Sequence, residues 1–186
     1  MEVPCARGYL LTAFRNAALE TFGATGVEEL VAALDPATRA RTFGASGPPP
    51  KWIPEADLIA CAYVIWEGPA HRDRNAYNTF LRRQVDLGTG RVQRALLSLA
   101  SARRVLDRAP SIWSSEHSHG VLEVEHHSDT SASVHLRDHL YVETPQARAT
   151  IAEVFRYIVG LTRADEVTET HALDGTSAVV VRLSWK

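Results

Sequence analysis

Six of the eight histidines lie between residues 117 and 139, and imidazole is the side chain that most often binds transition metals or exchanges protons near neutral pH. A zinc site needs three or four nitrogen, oxygen or sulfur donors at about 2 Å from the ion. The candidate metal ligands are His117, His119, His126 and His135. No His-x-x-x-His pair on a predicted helix and no cysteine–histidine spacing accompanies them. We therefore predict that these histidines occupy polar, outward-facing positions on a half-exposed sheet. A zinc site and a pH-sensitive surface are the alternatives.

Other catalytic signatures are absent from the sequence. There is no Gly-x-Ser-x-Gly motif, and neither Cys5 nor Cys61 lies in a recognisable nucleophile setting. Gly88-Thr-Gly90 lacks the frame of a phosphate-binding loop and is predicted to be a turn between helices. No catalytic residue is predicted, and the sequence favours a protein that is not an enzyme.

The composition limits the classes of partner. The chain has 186 residues, a formal net charge of −2 and no block of like charge, which argues against a nucleic-acid-binding surface. No apolar run reaches the roughly 18 residues of a membrane span. The two cysteines are far apart and are predicted to be reduced thiols. A cytoplasmic protein is expected.

Positions 1–186 are predicted to form one ligand-binding-like domain. Its helical half covers about 1–118, where apolar residues recur at helical spacing in about six segments. Gly23 is expected to end the first helix, Trp52-Ile-Pro54 to open the third, and Pro110–Trp113 to form a corner after a helix capped by Ser101.

The remaining half, about 119–186, is predicted as hairpin, helix and hairpin. Alternating apolar residues indicate paired strands at Val121–His127 and Ser131–Leu136, and again on either side of Asp174-Gly175. Thr144-Pro145 is typical of a helix start. The predicted fold is α/β of the α+β type, in which about six helical segments pack on a four-stranded antiparallel sheet made of two hairpins flanking one helix.

Most aromatic residues fall on predicted apolar faces. They indicate either an ordinary core or an apolar cavity between helices and sheet, which is how many small-ligand sites are built. The candidate pocket residues are Phe14, Cys61, Tyr63, Trp66, Phe80, Trp113 and Phe155.

A family resemblance accompanies these elements. The matching residues are Arg7-Gly8-Tyr9-Leu10, Leu34-Asp35-Pro36, Trp52-Ile53-Pro54, and Val105-Leu106-x-x-Ala109-Pro110-x-Ile112-Trp113 followed by Gly120-Val121-Leu122-Glu123-Val124. The chain resembles an uncharacterised protein family abundant in myxobacteria. That family is similar to the superfamily of 4-vinyl reductase domains, haem nitric-oxide sensor domains and TRAPP vesicle-tethering subunits.

The resemblance implies helices against a four-stranded antiparallel sheet, ligand sensing or scaffolding, and a homodimer. Two features of this chain depart from that superfamily. The segment His171–Ala178 has no cysteine pair for metal, and the chain has no Tyr-x-Ser-x-Arg motif to hold haem propionates. No cofactor is therefore predicted, haem is not expected, and zinc at the histidines is the one metal considered.

These observations predict a non-enzymatic domain that senses a small apolar ligand or serves as a signalling adaptor. A dimeric protein-interaction scaffold without a ligand is the alternative. A metal-binding protein or metalloenzyme that uses the histidines is the third interpretation.

Overall fold

The computed structural model of the chain describes residues 3–44 and 47–186. These fall into two compact units, Met1–Gly88 and Thr89–Lys186, which we call unit 1 and unit 2. The boundary between the units lies well before position 118, where the sequence predicted the helical half to end. The single ligand-binding-like domain over 1–186 stays a prediction.

Unit 1 is helical with one short two-stranded sheet. Its elements are β1 (Cys5–Arg7), α1 (Gly8–Ala33), α2 (Pro36–Thr42), β2 (Trp52–Pro54), α3 (Glu55–Glu67) and the first part of α4 (Arg74–Leu97). Strands β1 and β2 pair antiparallel, with Ala6 opposite Ile53. Their pairing satisfies backbone groups that two isolated extended segments would leave open.

Two predictions in unit 1 need correction. Trp52-Ile-Pro54 forms strand β2 and does not open a helix, because its backbone pairs with β1 and α3 begins only at Glu55. Gly23 leaves the helical conformation (φ 69°, ψ −174°), as a helix end requires, yet the chain resumes helix at once and α1 continues to Ala33. A residue without Cβ adopts this positive φ at no steric cost.

Unit 2 packs helices on one antiparallel sheet. Its elements are the last part of α4, α5 (Ala102–Glu116), β3 (Val121–Ser128), β4 (Ser131–Arg137), a 3₁₀ turn (Leu140–Val142), α6 (Pro145–Gly160), β5 (Thr168–Asp174) and β6 (Ala178–Ser184). The strand order is β3-β4-β6-β5. Two hairpins thus flank one helix, and the predicted fold class is confirmed.

The inner face of this sheet follows from the strand register. Val124 pairs with Val134, and Val134 pairs with Val181, so alternate apolar residues of three strands share one face. Helix α6 covers this face with Phe155, and α5 contributes Trp113.

The predicted corner at Pro110–Trp113 is wrong. Helix α5 runs through Pro110 to Glu116. Leu106 and Trp113 are seven residues apart and both buried, so continued helix keeps two large apolar side chains in the core. The predicted cap is confirmed, because the Ser101 hydroxyl accepts a hydrogen bond from the Arg104 amide at 3.4 Å. None of the described helices is long and apolar enough to cross a membrane.

Candidate functional site

The candidate site in unit 2 is a group of stacked rings that we call the imidazole cluster: His117, His119, His139, Trp113 and Tyr141. Trp113 lies in the last turn of α5, and the helix ends at Glu116. On the other side, β4 ends at Arg137 and the chain turns through two residues into the 3₁₀ turn. The ends of one helix and one strand thus bring the five rings together.

The rings are in direct contact. His117 stacks on Trp113 with centroids 3.9 Å apart, and His119 stacks on His139 at 4.4 Å. His139 also stacks on Tyr141 at 4.9 Å. Trp113 packs edge-on against the His139 ring at 4.8 Å. His139 is therefore the central ring of the cluster.

Hydrogen bonds to the backbone fix two of these rings. The amide of Tyr141 donates to Nδ1 of His139 at 3.1 Å. That nitrogen must carry the lone pair, so a neutral His139 holds its proton on Nε2. The assignment follows from the donor and not from an observed hydrogen. The Trp113 indole N–H donates to the carbonyl of His119 at 3.3 Å, which ties the helix end to the start of β3.

Gly120 allows this arrangement. Its φ is +81°, and a Cβ built there would lie 2.9 Å from Cδ2 of His139. Both the backbone conformation and the space exclude a larger residue. The tight approach of the β3 start to the His139 ring is built into the sequence at this glycine.

A second histidine group lies on the outer face of the sheet, opposite the face that packs on α5 and α6. His127 Nε2 is 2.7 Å from the Ser133 hydroxyl. His127 Nδ1 and His135 Nε2 lie 3.9 and 3.8 Å from the two carboxylate oxygens of Glu125. A shallow depression of roughly 260 Å³ includes these four residues.

The four predicted metal ligands do not share one site. His117 and His119 belong to the imidazole cluster. His126 points to the inner side and contacts Asp107 of α5, with Nε2 2.8 Å from the carboxylate. His135 lies on the outer side beside Glu125. Adjacent strand positions face opposite sides of a sheet, which separates these histidines.

The predicted pocket residues divide between the two units. Phe14, Cys61 and Phe80 are buried in the core of unit 1, and Trp66 packs against it. Tyr63 is 53% exposed. The remaining two, Trp113 and Phe155, belong to the core of unit 2.

Several unit 1 members of this set pack against aromatic rings. Phe80 contacts Phe14 at 5.0 Å and Tyr77 at 6.0 Å, and Trp66 contacts Tyr77 at 5.5 Å. Burial raises the pKa of Cys61 to about 12, so this thiol stays protonated and unreactive near neutral pH.

His139 and Tyr141 had no assigned role in the sequence-based prediction. His139 falls in the histidine-rich stretch, but its partners Trp113 and His119 are distant in sequence. The turn after β4, with the positive φ of Asp138 (53°), brings the His139 ring against His119. The spacing of residues along the sequence does not predict this contact.

No protein-family model matches the sequence, and no curated protein does. Solved structures do. The chain is similar to an H-NOX protein from S. oneidensis in the Fe(II)NO ligation state (8% identity, TM-score 0.67, 97% of this chain and 99% of that one). It is equally similar to an oxygen-binding H-NOX domain related to soluble guanylate cyclases (9%, 0.65, 97% and 95%).

A third similar structure comes from a study of heme redox potential and protein-induced porphyrin distortion (9% identity, TM-score 0.66, 97% of this chain and 95% of that one). Likeness at such low identity shows the fold. The chain has the fold of these H-NOX structures, as the resemblance noted from the sequence implied.

The prediction that no cofactor is bound, and that haem is not expected, is wrong. It rested on the missing Tyr-x-Ser-x-Arg motif, yet 97% of the chain matches a structure in which heme is the subject. A cofactor is held by a few side chains, whereas a fold is set by packing along the whole chain. The absence of one short motif therefore does not separate this chain from a haem-carrying fold.

Proposed function

We propose that this protein is a small-molecule sensor domain whose ligand binds at the imidazole cluster, with haem as the first candidate. The observation that supports the proposal is the stack of His119, His139 and Tyr141 against Trp113 in a chain with the H-NOX fold. The proposal keeps two finer predictions from the sequence, a cytoplasmic location and membership of the family abundant in myxobacteria.

The donor set of the cluster suits haem. Imidazole is the commonest axial ligand of haem iron, and both ring nitrogens of His119 are buried. Aromatic faces stack favourably on other flat aromatic groups, and Trp113 and Tyr141 already pack on imidazoles in this way. When bound, haem would supply an iron able to bind a diatomic gas.

His119 and His139 fit different roles. Because the Tyr141 amide occupies Nδ1 of His139, the neutral ring presents an N–H at Nε2. It can donate a hydrogen bond to a carboxylate or to a polar ligand, but it does not offer a lone pair to a metal. His119 would therefore bind the iron, and His139 would donate the hydrogen bond.

A small apolar ligand without iron is the other occupant that this site suits. The same ring faces would hold it by stacking and by exclusion of water. Such a molecule makes no bond to an imidazole nitrogen. The two occupants differ in how strongly they depend on His119.

A haemin titration of the tag-free full chain tests the proposal. We expect one equivalent to bind, with the sharp Soret absorbance of ligated haem, and His119→Ala to weaken binding at least tenfold. His171→Ala is the matched control, because His171 lies on β5 and pairs with Glu169 at 3.1 Å, outside the cluster.

Native mass spectrometry of the untreated protein completes the test. A co-purified molecule of a few hundred daltons, lost in Trp113→Leu, would support an apolar ligand in place of haem. If the wild-type chain takes up no haemin and carries no adduct, the protein is not a sensor of this kind.

The second candidate function is a dimeric scaffold. Leu96 and Leu99 are 62% and 65% exposed at the end of α4 and just after it. Exposed apolar side chains so close together favour contact with another protein surface. Light scattering at micromolar concentration should give twice the chain mass, and Leu96→Glu should return the mass to 20.5 kDa. A monomeric wild type would exclude this candidate.

A further inference from the structure

The outer face of the sheet carries a compact set of donors apart from the imidazole cluster. In the strand register, Glu125 lies opposite Ser133, and Ser133 lies opposite Arg182. His135 pairs with Glu123 on the same face. The contacts of His127 with Ser133 and Glu125 place it on this side, whereas His126 faces α5.

One carboxylate lies between two imidazoles. Glu125 Oε1 is 3.9 Å from His127 Nδ1, and Glu125 Oε2 is 3.8 Å from His135 Nε2. Two ligand atoms of one tetrahedral zinc ion are separated by roughly 3.3 Å, from bonds of about 2.0–2.2 Å. Both observed separations exceed this value by about half an ångström and involve different oxygens of Glu125, so the exposed side chains must rotate to bring all three donors around one ion.

The three side chains are accessible to an ion from solvent. Their exposed fractions are 67% for Glu125, 45% for His127 and 20% for His135. Binding there needs no opening of the core. The exposure also means that the carboxylate and the two imidazoles can reorient around an incoming cation at little cost.

Ser133 supplies the outer partner that metal-binding histidines usually have. Its hydroxyl lies 2.7 Å from Nε2 of His127. A hydroxyl can accept a hydrogen bond as well as donate one, so it can stabilise the tautomer with the proton on Nε2. In that tautomer the lone pair is on Nδ1 and faces Glu125. A hydrogen bond of this kind orients the ring and makes its other nitrogen a stronger metal ligand.

We propose that Glu125, His127 and His135 form a binding site for a divalent ion of the zinc class. One oxygen donor and two nitrogen donors match the preferences of zinc. Three protein ligands leave a fourth position for water or an anionic group, and Arg182 lines the same depression. The site is separate from the haem proposal, because none of its residues belongs to the imidazole cluster.

The same residues resemble a serine–histidine–carboxylate arrangement, but the exposure of the serine argues against that chemistry. Ser133 is only 3% exposed, so a carbonyl substrate has little access to its oxygen. A nucleophile must reach the reacting carbon directly. A metal ion instead needs the outer atoms of Glu125 and the imidazoles, which are the exposed ones.

Zinc chloride titrated into the tag-free, chelator-treated full chain tests the site, with calorimetry for affinity and native mass spectrometry for stoichiometry. We expect one ion to bind with a dissociation constant in the micromolar range or tighter. His127→Gln and His135→Gln should each weaken binding at least tenfold. Glu123→Gln should leave the affinity within twofold, because it removes a neighbouring charge but no proposed ligand.

A further variant, His119→Ala, separates this site from the imidazole cluster and should also bind zinc normally. Loss of zinc in His119→Ala with normal binding in His127→Gln would overturn the proposal, and so would absence of uptake by the wild type. Circular dichroism checks folding, and Glu125→Gln replaces any variant that fails to fold. Haemin uptake is measured separately, so failure of either proposal is distinguishable from failure of the other.

Discussion

The two units use aromatic contacts in different ways. In unit 1, Phe80 packs on Phe14 and Tyr77 with ring centroids 5.0 and 6.0 Å apart, in a core of carbon-rich rings. In unit 2, Trp113 packs at 3.9 and 4.8 Å on imidazoles. Similar packing of flat rings thus gives an apolar core in one unit and a cluster of nitrogen donors in the other.

Buried charge does not distinguish the units. Arg41 binds Asp57 of unit 1 through two hydrogen bonds of 2.7 Å, and Arg156 binds Glu153 of unit 2 in the same bidentate way. Both carboxylates are buried and paired, as buried charges must be. The difference lies in the imidazoles, whose donors and acceptors can be used by a ligand.

The largest expected effect tests unit 1 as a filled core. Phe80→Ala removes a fully buried ring, so the free energy of unfolding should fall by about 3–5 kcal/mol in urea denaturation. Tyr63→Ala is the control, and it should change stability by less than about 1 kcal/mol because the side chain is half exposed. A near-neutral Phe80→Ala would mean that the ring lines a space and does not fill one.

The next effect tests the tight approach within the imidazole cluster. Gly120→Ala forces a left-handed φ on alanine, at about 1–2 kcal/mol, and also places Cβ against His139. Gly175→Ala has a similar φ (+68°) but meets nothing within 4 Å. Thermal unfolding should therefore show a greater loss for Gly120→Ala than for Gly175→Ala. Equal losses of stability in the two variants would show that the His139 ring can move away from the new Cβ at little cost.

The smallest effect is the pH dependence that Cys61 gives to unit 1. Burial raises the pKa of its thiol to about 12, against about 8.5 for an unfolded cysteine. Below pH 8.5 both states hold the proton and no effect arises. Above it only the unfolded state loses the proton, so stability falls as the pH rises towards 12.

Unfolding of the wild type and of Cys61→Ala at pH 8 and pH 10 measures this contribution. The wild type should lose about 1–2 kcal/mol more than the variant between the two values. Other groups titrate in both proteins and cancel in the difference. Parallel pH profiles would show that the thiol is more accessible than its burial indicates.

Local patterns predicted the sheet of unit 2 well. Period-two alternation and the Asp174-Gly175 turn placed both hairpins, and Thr144 caps α6 by accepting from the Ala147 amide. Strand pairing here joins segments that are close in sequence, so turn chemistry fixes the partners. Strand β1 was missed because its partner β2 is over forty residues away, and each has only three residues.

The candidate site was predictable only in part. The density of histidines between 117 and 139 marked the right stretch, and His126 and His127 contact partners on opposite sides of the sheet. The stack of His119 on His139 could not be foreseen, because it depends on a helix that continues through Pro110 and on the turn at Asp138. Tertiary packing decides both features.

The order β3-β4-β6-β5 leaves β3 and β5 as the two edge strands. Both carry carboxylates: Glu123 and Glu125 on β3, Glu169 and Asp174 on β5. Sheet extension into a second copy would bring like charges together, which opposes edge-to-edge aggregation. This protection is electrostatic, so concentrated salt, which screens charge, should weaken it and favour edge-to-edge association of the sheet.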